Sequence, residues 1–147
     1  MDETSLRVLR HFSQGLCCSQ ILITLALEDM GEENVPLVRA MAGLCNGMGM
    51  GSLCGAASGG ACVIALYGAG GDSQEEELDD YPLMLAEFME WFHQTGPVQW
   101  GGVTCDEIMG TGRTQEMQTC GRIVIAVRDK VLEILAGHGL DPSSARG

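Results

Sequence analysis

Positive charge is scarce in this chain. Its 147 residues carry 8 lysines and arginines against 20 aspartates and glutamates, a net charge of −12. Such a surface repels phosphate backbones and anionic lipid, so nucleic acid and membrane surfaces are poor partners. A redox protein partner presenting a basic patch suits it better. The start, Met1-Asp2-Glu3-Thr4-Ser5, lacks both the basic residues and the apolar run of a secretory signal, so a cytoplasmic location is expected. Disulfide scaffolds are rare in that compartment, and the seven cysteines point to metal binding or redox chemistry there.

Several familiar motifs are missing too. There is no C-x-x-C, so neither a thioredoxin site nor a zinc ribbon fits, and no C-x-x-C-H, so covalent haem attachment is excluded. His11, His93 and His138 form no ligand pair at helical spacing and read as surface or packing residues. Nothing supports a Ser/His/Asp hydrolase, and no catalytic residue is assigned. Charge is also missing between Arg39 and Asp72. A transmembrane helix needs about 20 predominantly apolar residues. This stretch instead carries ten glycines from Gly43 to Gly71, with Asn46, Ser52 and Ser58 among them, and reads as a buried, tightly packed segment.

What is present is a chain that is 46% hydrophobic and long enough for one domain with a real core. The pattern predicts an all-α, compact single-domain bundle of about five to seven helices around a central Gly/Ala-rich helix, folded over residues 4–136, with a loose tail over 137–147. One helix is expected near Thr4–Ser13, broken at Gly15, and a second over Cys17–Met30, apolar nearly all round from Ile21 to Leu27. Pro36 suits the first turn of a third. A fourth runs from about Cys54 to Tyr67, where Gly55-Ala56-Ala57-Ser58-Gly59 leaves one face almost bare, open to close packing within the chain or across a homodimer.

Asp72–Asp80, with six acids in nine positions, reads as a solvated linker. Tyr81, Met84, Leu85, Phe88, Trp91 and Phe92 fall at three- and four-residue steps, marking a fifth helix. Gly96–Gly102, with Pro97, is expected to be a loop. Thr104 and Glu107 have the form of a capping box opening a short helix. A loop with Gly110, Gly112 and Arg113 follows, and a last helix is expected over about Glu116–Ala136.

Four of the seven cysteines share a setting. Cys18, Cys54, Cys105 and Cys120 all fall at or near expected helix N-termini, where unpaired N–H groups and the helix dipole favour a thiolate, the form that acts as nucleophile or metal ligand. Cys120 fits this least well, and Asp106 and Glu107 oppose ionisation of Cys105. Several thiolates in so acidic a chain call for a balancing cation such as iron or zinc. The run Gly47-Met48-Gly49-Met50-Gly51 reads as backbone packed around Cys54, supplying amide donors to its sulfur or to a cluster. It is no dinucleotide loop, because the third glycine of G-x-G-x-x-G falls on Cys54. Cys17, Cys45 and Cys62 read as small apolar packing residues.

The segments Gly15-Leu16-Cys17-Cys18-Ser19-Gln20 and Cys54-Gly55-Ala56-Ala57-Ser58-Gly59, followed by single cysteines at 105 and 120, resemble the bacterial and archaeal redox-active family called C_GCAxxG_C_C. The likeness spans about Leu6 to Leu135. It implies that the family's four characteristic cysteines fall on Cys18, Cys54, Cys105 and Cys120. A similar module in split-Soret-type cytochromes is associated with an iron–sulfur centre, and only that non-haem part could carry over here.

Three functions are therefore carried forward. The first is an iron–sulfur protein, with Cys18, Cys54, Cys105 and Cys120 holding a [2Fe–2S] cluster for electron transfer or redox sensing. The second is a metal-free thiol–disulfide oxidoreductase or redox sensor using Cys18 or Cys54. The third is a structural zinc protein.

Overall fold

In the computed structural model, which describes residues 2–110, 112 and 116–144, the chain is all-α. Its helices are α1 (Glu3–Ser13), α2 (Cys18–Met30), α3 (Val35–Met41), α4 (Gly55–Gly68), α5 (Tyr81–Gln99), α6 (Cys105–Met109) and α7 (Arg122–Gly137). Of the loop expected after α6, Arg113 lies outside the described residues. Among the described residues the only β-type pairing is an isolated bridge between Leu53 and Thr104. No helix of the described residues is long and apolar enough to cross a membrane.

The centre is α4, packed against α2, α5 and α7. Small residues allow this. A Cβ on Gly59 would lie 2.8 Å from the Ser19 Cα of α2, and one on Gly60 would collide with Phe88 of α5 and lie 2.7 Å from Val127 Cγ1 of α7. The bare face expected from the sequence is thus filled by neighbouring helices of the same chain. Around it Ile21, Leu25, Ile64, Phe88, Phe92 and Val127 are fully buried. Much of the scarce positive charge is spent holding α1 and α7 to α2. Arg7 reaches Glu28 at 3.0 Å and Asp29 at 3.3 Å, and Arg128 reaches Asp29 at 2.9 Å.

Two boundaries differ from expectation. Helix α5 continues through Pro97 to Gln99 instead of ending in a loop at Gly96. A proline inside a helix costs about 3 kcal/mol. The last turn is held by Trp100, whose N–H donates to the Gly96 carbonyl at 2.8 Å and whose ring lies 5.5 Å from Phe92 and 6.2 Å from Trp91. Aromatic packing therefore outweighs the local breaker. The final helix proper starts at Arg122, preceded by a wider turn over Met117–Gly121.

At the far end, His138 donates through its ring nitrogens to the carboxylates of Asp80 and Glu87, each at 2.9 Å, joining the end of α7 to the start of α5. Nearby, the Tyr67 hydroxyl donates to the Pro142 carbonyl at 2.6 Å.

Two outcomes follow from this packing. Gly60→Ala should lower the unfolding free energy by about 1–3 kcal/mol in a denaturant titration, because Phe88 and Val127 must shift. The hydrogen bonds to Asp80 and Glu87 raise the pKa of His138 above its usual value. Its stabilisation is therefore fully present below the ordinary histidine pKa and lost as pH rises through the raised one. His138→Gln should accordingly cost more melting temperature at pH near 6 than at pH near 9.

Candidate functional site

Cys18, Cys54, Cys105 and Cys120 come from four separate parts of the chain and line one cavity, together with Gly55, Ile108, Met109 and Ile123. Cys18 is the first residue of α2, Cys54 immediately precedes α4, Cys105 opens α6, and Cys120 sits in the wide turn before α7. All four are buried, whereas Cys62 on α4 is half-buried against the core. The space between the sulfurs is about 10 Å³, near the minimum for one water molecule.

Each sulfur is seated by local chemistry. The Thr104 hydroxyl accepts from the Glu107 N–H at 3.1 Å while the Thr104 N–H donates to Glu107 Oε1 at 3.0 Å, the capping box that positions Cys105. The extended residues 52–54 and 103–105 then lock together. Cys54 N–H donates to the Val103 carbonyl at 2.9 Å and Cys105 N–H to the Ser52 carbonyl at 2.8 Å. This short ladder holds Cys54 beside Cys105. Cys18 meets the same place through α2, where a Cβ on Gly55 would lie 3.8 Å from the Cys18 Cβ. Cys120 Sγ lies 3.9 Å from the Met109 sulfur.

The glycine run has a different task from the one expected. The amides that donate to the Cys54 sulfur belong to Ala56 and Ala57, at the start of α4. Gly47–Gly51 instead forms a left-handed turn in which Gly51, at φ +74°, packs so closely on the Asp106 carboxylate that any side chain would overlap it. Met48 shares the left-handed backbone at φ +57°, which is uncommon for a residue with a side chain.

Burial and hydrogen bonding give the thiols opposite tendencies. Cys18 is raised well above the ordinary thiol value because it keeps its proton to donate to Cys120, and because it is buried. Cys54 is pushed up to about 11, burial outweighing its two amide donors. Cys120 is brought down to about 7, chiefly by the hydrogen bond from Cys18. Position at a helix N-terminus therefore does not make each sulfur a thiolate at neutral pH. Cys120 ionises before Cys18 and Cys54.

Among the described residues, no three or more His, Cys, Asp and Glu side chains are gathered about one point in the manner of a metal site. Within the cavity the Cys18 thiol is hydrogen-bonded to Cys120, and the backbones at Cys54 and Cys105 are tied by the ladder. Outside the cavity, Cys17 and Cys45, expected to be packing residues, are joined as a disulfide with Cα atoms 6.0 Å apart. No local signal in the sequence pairs them, since they stand 28 positions apart with helices α2 and α3 between them.

The chain belongs to the family described as "Putative redox-active protein (C_GCAxxG_C_C)", whose model matches residues 16–134. That span contains all four cavity cysteines. No curated protein and no solved structure matches the chain significantly.

The shared proton can be measured. In reduced, metal-free protein the ultraviolet thiolate absorbance should show one step with a midpoint near 7. Cys18→Ala removes the donor and should move that step upward into the ordinary thiol range. An unchanged midpoint would mean that Cys18 does not hold the proton.

Proposed function

We propose that this chain is a small iron–sulfur protein, with Cys18, Cys54, Cys105 and Cys120 holding a [2Fe–2S] cluster used for single-electron transfer or redox sensing. The observation that carries this reading is the convergence of four buried thiols from four chain segments on one otherwise apolar cavity. A set of four cysteine sulfurs is the donor set of iron–sulfur clusters and of structural zinc. The two differ in how the sulfurs must be gathered. Zinc takes three or four protein ligands about one centre. A [2Fe–2S] cluster asks for only two on each iron, and a paired arrangement suits it better.

When bound, the cluster supplies a one-electron couple at a potential tuned by burial and by hydrogen bonds to the sulfurs. The chain's own residues provide those controls. Ala56 and Ala57 N–H groups donate to the Cys54 sulfur, which stabilises negative charge there. Ile108 and Ile123 keep water away from the sulfurs. Loading requires loss of the thiol protons, and Cys120, whose pKa is brought down, gives up its proton before Cys18 and Cys54. A cation also offsets the self-repulsion of a chain carrying −12. That charge is the reason to expect a basic face on the electron partner.

A second reading rests on one contact. The Cys18 thiol donates to Cys120, so that a low-pKa sulfur lies directly against a second one, as in a dithiol redox site. Under it the attacking thiol is Cys120, not Cys18 or Cys54.

Protein purified without oxygen should be coloured and contain about two iron and two sulfide per chain. Cys54→Ser should lose most of both. Colourless, iron-free protein that cannot be reconstituted would remove the cluster reading. Reversible oxidation of Cys18 and Cys120 in that same material would establish the dithiol one.

A further inference from the structure

The bonded sulfurs of Cys17 and Cys45 stand outside the four-cysteine cavity, and their surroundings fit two states. Cys17 caps the start of α2, and Cys45 precedes the left-handed Gly47–Gly51 turn. Both are partly exposed, in contrast to the four buried cavity cysteines. Between them lies the Ser19 hydroxyl, fully buried, 3.4 Å from the Cys17 sulfur and 3.4 Å from the Cys45 sulfur. A serine hydroxyl has one proton to donate. That proton goes to the Met41 carbonyl at 2.7 Å, the shortest of the three contacts. The oxygen lone pairs therefore face the sulfurs. A disulfide has no proton to give them, but a cysteine thiol does.

We propose that Cys17 and Cys45 are a reversible two-electron dithiol–disulfide couple, distinct from the four-cysteine cavity, that exchanges with an external dithiol. The bonded state is the one seen in the structure, and the Cα spacing lies within the range a disulfide spans. The reduced state is provided for by Ser19, whose buried oxygen accepts a hydrogen bond from either thiol. Partial exposure lets a reagent reach the bond, which is required for exchange.

The chemistry balances as follows. A thiolate of the external dithiol attacks one sulfur of the pair, forming a mixed disulfide and breaking the Cys17–Cys45 bond. The other sulfur leaves as a thiolate and takes up a proton. The second thiol of the reagent then attacks the mixed disulfide, freeing the first cysteine, which is protonated in turn. The reagent departs as its own disulfide, having given two electrons and two protons to the chain. Oxidation is the reverse, with a disulfide as acceptor.

The couple does not rest on iron–sulfur binding and can be tested separately from it. Native, full-length protein is equilibrated with graded ratios of reduced and oxidised dithiothreitol, quenched in acid, alkylated, and mapped by mass spectrometry. Cys17 and Cys45 should gain and lose label together, two per chain, along one reversible curve. Ser19→Ala, which removes the acceptor for the thiols, should shift that equilibrium toward the disulfide by roughly fivefold, the worth of one neutral hydrogen bond. Cys45→Ser should abolish the two-thiol step while leaving the iron and sulfide content of the wild type, whatever that is. The proposal is overturned if Cys17 and Cys45 are labelled at every ratio, if they become labelled only after denaturation, or if either is found bonded to a cavity cysteine. Absence of iron in a protein that still shows the two-thiol curve counts against the cluster alone.

Discussion

The close contact of α2 with α4 is the constraint on which the site depends. Gly59 of α4 sits against the Ser19 backbone of α2, and Gly55 near the Cys18 side chain, at distances that leave no room for another Cβ or little to spare. This places the start of α2 against the start of α4, and so brings Cys18 to Cys54 across 35 intervening positions of sequence. Ser19, between them in the chain, is fully buried and bonds to the Met41 carbonyl, which fixes the exit of α3 on the same side. The remaining two cysteines are then delivered by local devices: the Thr104–Glu107 capping box for Cys105 and the turn before α7 for Cys120.

Burial and negative charge work against thiolates here, and the structure answers with hydrogen bonds rather than with basic residues. Of the bases among the described residues, Arg7, Arg10 and Arg128 are engaged with Glu28 and Asp29, on the opposite side of α2 from its Cys18 end. Among the described residues, no arginine or lysine lines the four-cysteine cavity. Charge at the sulfurs is instead met by the Ala56 and Ala57 amides and by the Cys18 thiol itself. A site of this kind needs a bound cation to hold several negative charges.

Much of this was legible in the sequence, for identifiable reasons. The capping box at Thr104, the aromatic stripe of α5 and the bare face of α4 are local patterns whose physics is complete within a few residues, and each is present as expected. The four cysteines were found by position and family likeness. What could not be read depends on distant partners. Helix α5 passes through Pro97 because Trp100 packs back on Phe92 and Trp91, which a local breaker rule does not weigh. The pairing of Cys17 with Cys45 depends on the path of α2 and α3. Helix ends suggested thiolates at Cys18 and Cys54, but the hydrogen bond to Cys120 together with burial raises Cys18, and burial raises Cys54, both set by distant parts of the fold.

The chain thus carries two kinds of sulfur site close together: a buried four-cysteine cavity and a partly exposed pair at its edge. Crystals of anaerobically purified protein, measured on either side of the iron absorption edge, test the role of the cavity most directly. The account predicts anomalous density for two adjacent irons, each within bonding distance of two of the sulfurs of Cys18, Cys54, Cys105 and Cys120. Four cysteine sulfurs with no iron between them, or iron held by any other residues, would contradict it.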